Sequence, residues 1–271
     1  MAIVRDDLAN RVDLLGLEAN PTQVEPTALR GRGAIGAVPG LLLDGSRVLV
    51  RRARRGGLVG QFVPDVFCGK CRPFCELVTA HRALERGIPT ADVVAAVRTK
   101  VFGPLYRGTV YTKELNGVAD LQSYLASARE GADTASLERR RRVLRKAGRV
   151  VRLAHDAGLY HGDLQLRNLL VRHDERPAVF LIDLDKARWF RSLPRTLRVM
   201  NLLRLQRSAL KATRSGAPIT RTDMLRFLKG YTDAGSGETL HTHSHAPLLK
   251  GIYRMKWALS DALYRAARAA P

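Results

Sequence analysis

Two short acidic segments constrain this chain more than anything else in it. Residues 161–168 read His-Gly-Asp-Leu-Gln-Leu-Arg-Asn, and residues 181–185 read Leu-Ile-Asp-Leu-Asp. Asp163 is placed to accept the proton of an incoming hydroxyl. Asn168 offers an amide oxygen one short loop away, and Asp183 offers a carboxylate at a strand end. Oxygen donors of this kind suit the small, hard Mg²⁺ ion, which completes its shell with nucleotide phosphates. The pattern works only if the chain folds back on itself between Asn168 and Asp183, and the sequence supplies that reversal. Leu169-Leu170-Val171 is a short apolar run, His173 to Pro177 reads as a turn, and Ala178 to Ile182 reads as a buried strand. Upstream, Val143, Leu144, Ala147, Val150, Val151 and Ala154 recur at helical spacing among arginines over 136–158, and Gly158 is the expected stop. A polar loop after a surface helix would also hold these residue types. It would not place them at these offsets between a helix, a hairpin and a strand end.

The 271 residues suffice for one large domain or two lobes. No apolar run reaches membrane-spanning length, and Met-Ala-Ile-Val-Arg-Asp-Asp lacks the apolar core of a secretory signal, so the expected location is cytosolic. The formal net charge of +21 points to a polyanionic partner: nucleic acid, an anionic membrane surface or a phosphorylated lipid. Part of the excess is also open to a plain preference for arginine on the surface. Cys68, Cys71 and Cys75, with His81, invite a zinc reading. A single C-x-x-C falls short of the two ligand pairs of a structural zinc site, and small helix or core positions are the favoured reading.

Residues 1–28 carry little pattern and read as a lead-in. Gly31, Gly33 and Gly36 then form G-x-G-x-x-G. Strand-like Leu41–Leu43, a turn at Asp44-Gly45-Ser46 and strand-like Val48–Val50 follow, and the second strand runs into Arg51 and a basic stretch to Gly57. The glycines can close over phosphates as a β-turn or form an ordinary loop; a dinucleotide fold would need a helix next, and strands come instead. Residues 72–86 have helical periodicity, with Glu76 near the start, within reach of Arg51, and Gly87-Ile88-Pro89 as the stop. Strands at 93–101 and 110–115 complete a sheet. Glu114-Leu115-Asn116-Gly117 is the expected connection between lobes, with backbone groups able to hold an adenine ring. Helices are expected at 196–211 and 222–231, with a basic amphipathic helix at 250–268. His241, His243 and His245 read as a solvated loop.

The catalytic-loop pattern and the strand-end Asp resemble those of protein kinases. Arg51–Gly57 with Leu58-Val59-Gly60, Arg72–Glu76, Leu84–Pro89, Tyr160–Leu170 and Leu181–Arg188 together resemble the lipopolysaccharide kinases, above all the 3-deoxy-D-manno-octulosonic acid (Kdo) kinases, over roughly residues 29–230. The resemblance implies an α+β, two-lobed protein-kinase-like fold with a small antiparallel β N-lobe (29–116) and a mainly helical C-lobe (117–271). It also implies ATP and Mg²⁺ as cofactors. Asp163 would be the base, with His161 beside it. Asn168 and Asp183 would be metal ligands. Gly31, Gly33, Gly36, Arg51, Glu76, Glu114 and Leu115 would form the nucleotide side. The implied acceptor is a lipid-linked Kdo sugar (Kdo-lipid A), phosphorylated on the cytoplasmic face of the inner membrane by a peripheral protein, with no nucleic-acid partner.

Three departures from the family stand out. Arg51 replaces the usual strand-end Lys, which is not a neutral exchange. The stretch from Val66 to Arg72 is short. Gly162 stands where many members have Ala, a change expected to be harmless. Other acceptors suit the sequence less well. No Ala-Pro-Glu segment follows Asp183, against a protein Ser/Thr substrate, and a cationic aminoglycoside would want an acidic pocket. A basic nucleic-acid-binding module without catalysis is the remaining alternative, and the joint presence of Asp163, Asn168 and Asp183 speaks against it.

Overall fold

Residues 93–113 contain two long runs of β-branched, aromatic and small residues separated by Gly103-Pro104, and they form the hairpin on which the first lobe is built. The computed structural model describes residues 1–4, 25–30, 34–38, 46–54, 65–127, 133–172 and 177–233. In chain order the strands are β1 (Ala2–Val4), β2 (Glu25–Arg30), β3 (Ala34–Val38), β4 (Val48–Arg52), β5 (Phe67–Cys68), β6 (Val93–Phe102) and β7 (Leu105–Lys113). They form one antiparallel sheet in the order β1-β6-β7-β4-β3-β2, with β5 also against β7. The buried first half of β6, Val93 to Val97, gives way to exposed residues toward the hairpin tip, first the polar Thr99 and Lys100 and then Val101 and Phe102. Two expectations change here. Residues 2–4 of the presumed lead-in are a strand, with Ala2 opposite Val97. The strand paired with β4 is 34–38; Leu41–Leu43 and the turn residues Asp44 and Gly45 lie outside the described residues.

Helix α1 (Arg72–Glu85) packs on this sheet through Leu77, Ala80 and Ala83. It ends as the sequence suggests. The Gly87 amide donates to the Leu84 carbonyl and the Ile88 amide to the Ala83 carbonyl, both at 2.9 Å, and Ile88 is fully buried beneath the turn. Residues 114–117 then cross to the second lobe, where β8 (Val118–Asp120) pairs with β10 (Leu169–Arg172), itself paired with β11 (Ala178–Leu181). A two-stranded ladder joins β9 (Leu159–Tyr160) to β12 (Arg188–Trp189).

The helices of this lobe are α2 (Leu121–Ser127), α3 (Thr134–Asp156), α4 (Arg195–Arg214) and α5 (Arg221–Asp233). Asp133 caps α3 by accepting from the Ser136 amide at 2.9 Å, and all six apolar positions read from the sequence are buried. Where α3 crosses α5, Gly148 and Gly230 allow backbone to touch backbone; a Cβ at Gly148 would lie 2.1 Å from the Phe227 carbonyl oxygen. One apolar cluster runs from α1 and β6 through α3 to β10, β11 and α4, so both lobes share a core. A buried bidentate pair adds a polar tie: Arg140 on α3 donates to both oxygens of Asp223 on α5, at 3.2 and 2.8 Å. The histidines at 241, 243 and 245 and the expected helix at 250–268 lie outside the described residues.

Candidate active site

The loop between β9 and β10 is held from inside by hydrogen bonds, so Asp163 sits at a fixed point. The Asn168 side-chain amide donates to the Asp163 carbonyl at 2.8 Å, and the Ile182 amide donates to the Asn168 carbonyl at 3.0 Å. His161 is buried, and its Nε2 lies 3.0 Å from the Ile182 carbonyl. A carbonyl only accepts, so Nε2 carries the proton and Nδ1 faces the Asp163 amide at 3.4 Å. Burial pushes the imidazole pKa down, which keeps the ring neutral. His161, read from the sequence beside Asp163 as a candidate catalytic residue, is therefore enclosed between the loop and the end of β11.

Gly162 has a φ of 69°, and a Cβ there would meet the Lys186 carbonyl oxygen at 2.4 Å. Glycine suits this position in this chain, since both the backbone angle and the close approach disfavour a side chain there. One non-glycine residue among those described has a positive φ, and it is Asp183 (φ 63°, ψ 57°). A left-handed turn at a strand end redirects the carboxylate away from the strand axis at a cost in local strain.

On the first-lobe side, Arg51 at the end of β4 pairs with Glu76 of α1 at 2.6 Å. Burial is the main force raising the Glu76 carboxyl to about 7, opposed by Arg51 and helped by Asp183 and Asp185. The Asp185 carboxyl is also raised, by burial first and then by Asp183, and its Oδ1 is buried with no hydrogen-bond partner. Glu76, Asp183 and Asp185 thus crowd negative charge on one spot. Gly36 lies inside β3 opposite Val50, buried in the sheet and not in a turn; Gly31 and Gly33 lie outside the described residues. Glu114 and Leu115 sit in the lobe connection, but the Glu114 amide donates to the Arg47 carbonyl at 2.9 Å and its carboxylate meets Arg47 at 3.4 Å. The cysteines are free thiols, Cys71 at the start of α1 and Cys75 one turn along, and His81 pairs with Glu85 on the surface. Among the described residues no group of three or more His, Cys, Asp and Glu side chains is arranged as a metal cluster.

The lipopolysaccharide kinase (Kdo/WaaP) family matches residues 40–231. The chain belongs to this family. It is similar to the 3-deoxy-D-manno-octulosonic acid kinase of Actinobacillus succinogenes, at 30% identity over 74% of this chain and 82% of that one. A Photobacterium profundum protein of the same name is 32% identical over 67% of this chain and 72% of its own length. A solved structure, WaaP in complex with acyl carrier protein, superposes with a TM-score of 0.58 at 22% identity and covers 99% of this chain and 98% of that one. That likeness bears on the fold, which is two-lobed, α+β and protein-kinase-like. As a lipopolysaccharide kinase the chain is an ATP-dependent phosphotransferase.

Within this kinase several groups at the site were invisible in the sequence. Lys186 reaches Asp163 Oδ2 at 3.3 Å, Arg204 of α4 reaches Oδ1 at 3.4 Å, and Gln165 donates to Oδ1 at 2.6 Å. Burial pushes the Asp163 carboxyl up, but these three donors outweigh it and hold the group below the usual carboxylate range. Asn201 of α4, fully buried, accepts from the His161 amide at 3.2 Å and faces His155 Nε2 at 3.3 Å, tying the loop to α3. The only sequence clue to Lys186 was its place directly after the acidic segment. Arg204 and Asn201 had none, being two residues of an arginine-rich helix. The donor types suit a Mg²⁺ ion: Asp183 offers a strand-end carboxylate, Asn168 an amide oxygen, and Asp185 a buried oxygen that has no hydrogen-bond partner among the described residues.

Proposed function

We propose that this enzyme transfers the γ-phosphoryl group of ATP to a hydroxyl of a Kdo sugar in the lipopolysaccharide inner core. The observation that carries the proposal is the interlocked loop. Asp163, Asn168 and the strand leading to Asp183 are joined by two hydrogen bonds of 2.8 and 3.0 Å, in a chain whose relatives are named Kdo kinases. Asp163 orients the acceptor hydroxyl and takes its proton. Asn168 and Asp183 hold Mg²⁺, which when bound neutralises charge building up on the phosphate oxygens. Arg51, oriented by Glu76, binds phosphate from the first lobe, and its fork permits two-point contact where a lysine gives a point charge. His161 and Asn201 keep the loop in register. Catalysis by such a site is mostly positioning and charge neutralisation.

The acceptor is lipid-linked, and the chain's net charge of +21 suits an anionic membrane surface. Among the described residues no helix is long and apolar enough to cross a membrane. A peripheral position on the cytoplasmic face of the inner membrane accounts for both observations.

The test is incubation with labelled ATP, Mg²⁺ and Kdo-lipid A. Wild type labels the lipid. Asp163→Asn lowers turnover by roughly 10²–10⁴-fold, the usual worth of a general base, and retains ATP binding. Wild-type turnover in that variant removes Asp163 from the role of base.

A further inference from the structure

Among the described residues, both oxygens of Asp163 are met by cations from different elements. Lys186 comes from the turn after Asp183 and Arg204 from the middle of α4. Two positive charges thus reach one carboxylate at the point where the acceptor must arrive, Lys186 being shared with Asp185. Both side chains are 41% exposed, so a ligand can reach them. Among the described residues each uses a single N–H on Asp163, which leaves further donors on both groups for a second anion. Helix α4 adds only positive charge, since Arg195–Arg214 contains no Asp or Glu.

The cations of the site fall into two sets. Arg51 and Arg72 face Glu76, Asp183 and Asp185; Arg72 lies 3.9 Å from Asp185. These belong to the nucleotide and metal side. Lys186 also acts on Asp185, but its ion pair, like that of Arg204, is with the base at the place of the acceptor hydroxyl. We propose that Lys186 and Arg204 form a subsite for the carboxylate of the acceptor sugar acid. This rests on the acceptor reading given above and deepens it. The incoming carboxylate competes with Asp163 for the same two cations. Binding the correct acceptor thereby frees the base to take the hydroxyl proton, whereas a neutral sugar leaves Asp163 engaged. The subsite thus selects for an acid in two ways, through binding and through release of the base.

The test compares Kdo-lipid A with its Kdo carboxamide, using the full chain with ATP and Mg²⁺. Wild type is expected to favour the carboxylate acceptor by about tenfold or more in kcat/KM, the scale of one charge-assisted hydrogen bond. Arg204→Gln and Lys186→Gln each raise KM for the carboxylate acceptor on the order of tenfold, and the preference over the carboxamide collapses. The ATP KM stays within about twofold. Arg204→Lys restores part of the preference, which a merely structural arginine would not do. A preference unchanged in the Gln variants overturns the subsite. So does a rise confined to the ATP KM, which assigns the two cations to the nucleotide phosphate. If wild type turns over ATP but phosphorylates neither lipid, the acceptor reading itself fails. The subsite is then read separately, as a melting-temperature rise with free Kdo in wild type. Absence of that rise, or its persistence in Arg204→Gln, overturns it as well.

Discussion

Replacing Asp183 should leave the protein about as stable and make it nearly inactive at once. Its φ of 63° puts a side chain in the left-handed region, at a cost of about 1 kcal/mol for Asp. Its charge also helps to raise the buried Glu76 carboxyl from 4.5 to about 7. An acid raised in this way destabilises the fold above its ordinary pKa, by ~3 kcal/mol for the full rise. Burial is the largest part of that and Asp183 a smaller one, while Asp183 also attracts the Arg51 guanidinium, so the two effects of removing its charge oppose each other at neutral pH. Asp183→Asn keeps a residue that tolerates the left-handed turn and removes the charge, so it stays within about 1 kcal/mol of wild type. Asp183→Gly removes the strain too, but its freer unfolded chain cancels about 0.5–1 kcal/mol of that. Each kcal/mol corresponds to roughly 2–4 °C in a chain of this size. The assay pairs thermal unfolding at pH 7.5 and pH 5 with phosphate transfer to Kdo-lipid A. Both variants should melt close to wild type at pH 7.5 and lose turnover by at least ~100-fold. Relative to wild type, Asp183→Asn should be less stable at pH 5 than at pH 7.5, because Glu76 is protonated there in the native state and only the Asp183–Arg51 attraction is lost. Loss of more than about 1 kcal/mol in both variants, or retention of activity, would refute the picture of a strained, charge-crowded metal ligand.

Asp223→Ala strands the buried Arg140 guanidinium and should cost about 3–5 kcal/mol in chemical denaturation, while Arg140→Met combined with Asp223→Leu should recover most of it; equal losses in single and double variants would show that shape, not charge, matters there. Burial holds the His155 imidazole down at about 3 against 6.5 when free, so its contribution to stability is complete above pH 6.5 and is lost progressively as pH falls toward 3. Between pH 7.5 and 5.5 wild type should lose ~1.4 kcal/mol relative to His155→Gln, and parallel stability curves for the two proteins would contradict this. Gly162→Ala should lower kcat by at least about tenfold with little change in ATP KM, because it pushes the loop off the Lys186 carbonyl; unchanged kcat would mean that the loop relaxes at no catalytic cost.

Much of this fold was legible in local chemistry. Helix α3 with its apolar stripe, the stop after α1, the hairpin of β10 and β11, β6 and the later part of β7 follow from period and glycines, which act over a few residues; the Asp133 cap and the start of β7 at Leu105 are not among these. Asp163, Asn168, Asp183 and the Arg51–Glu76 pair were readable because their offsets within a catalytic pattern are short or pass through regular elements. The first strand pairing was not, since residues 2–4 are held only by Val97 and its neighbours, far along the chain. Gly36 was misplaced for the same reason: its strand character comes from pairing with Val50, and a glycine says little by itself.

By itself, then, the sequence determined which oxygen-bearing side chains stand on one loop and at one strand end, and hence the class of reaction. Tertiary structure alone decided the charges around them. Lys186 and Arg204 reach Asp163 from separate elements, and Asp185 and Glu76 crowd Asp183 across the lobe boundary. Electrostatic energy depends on distance through space and on burial, and neither is a function of separation along the chain.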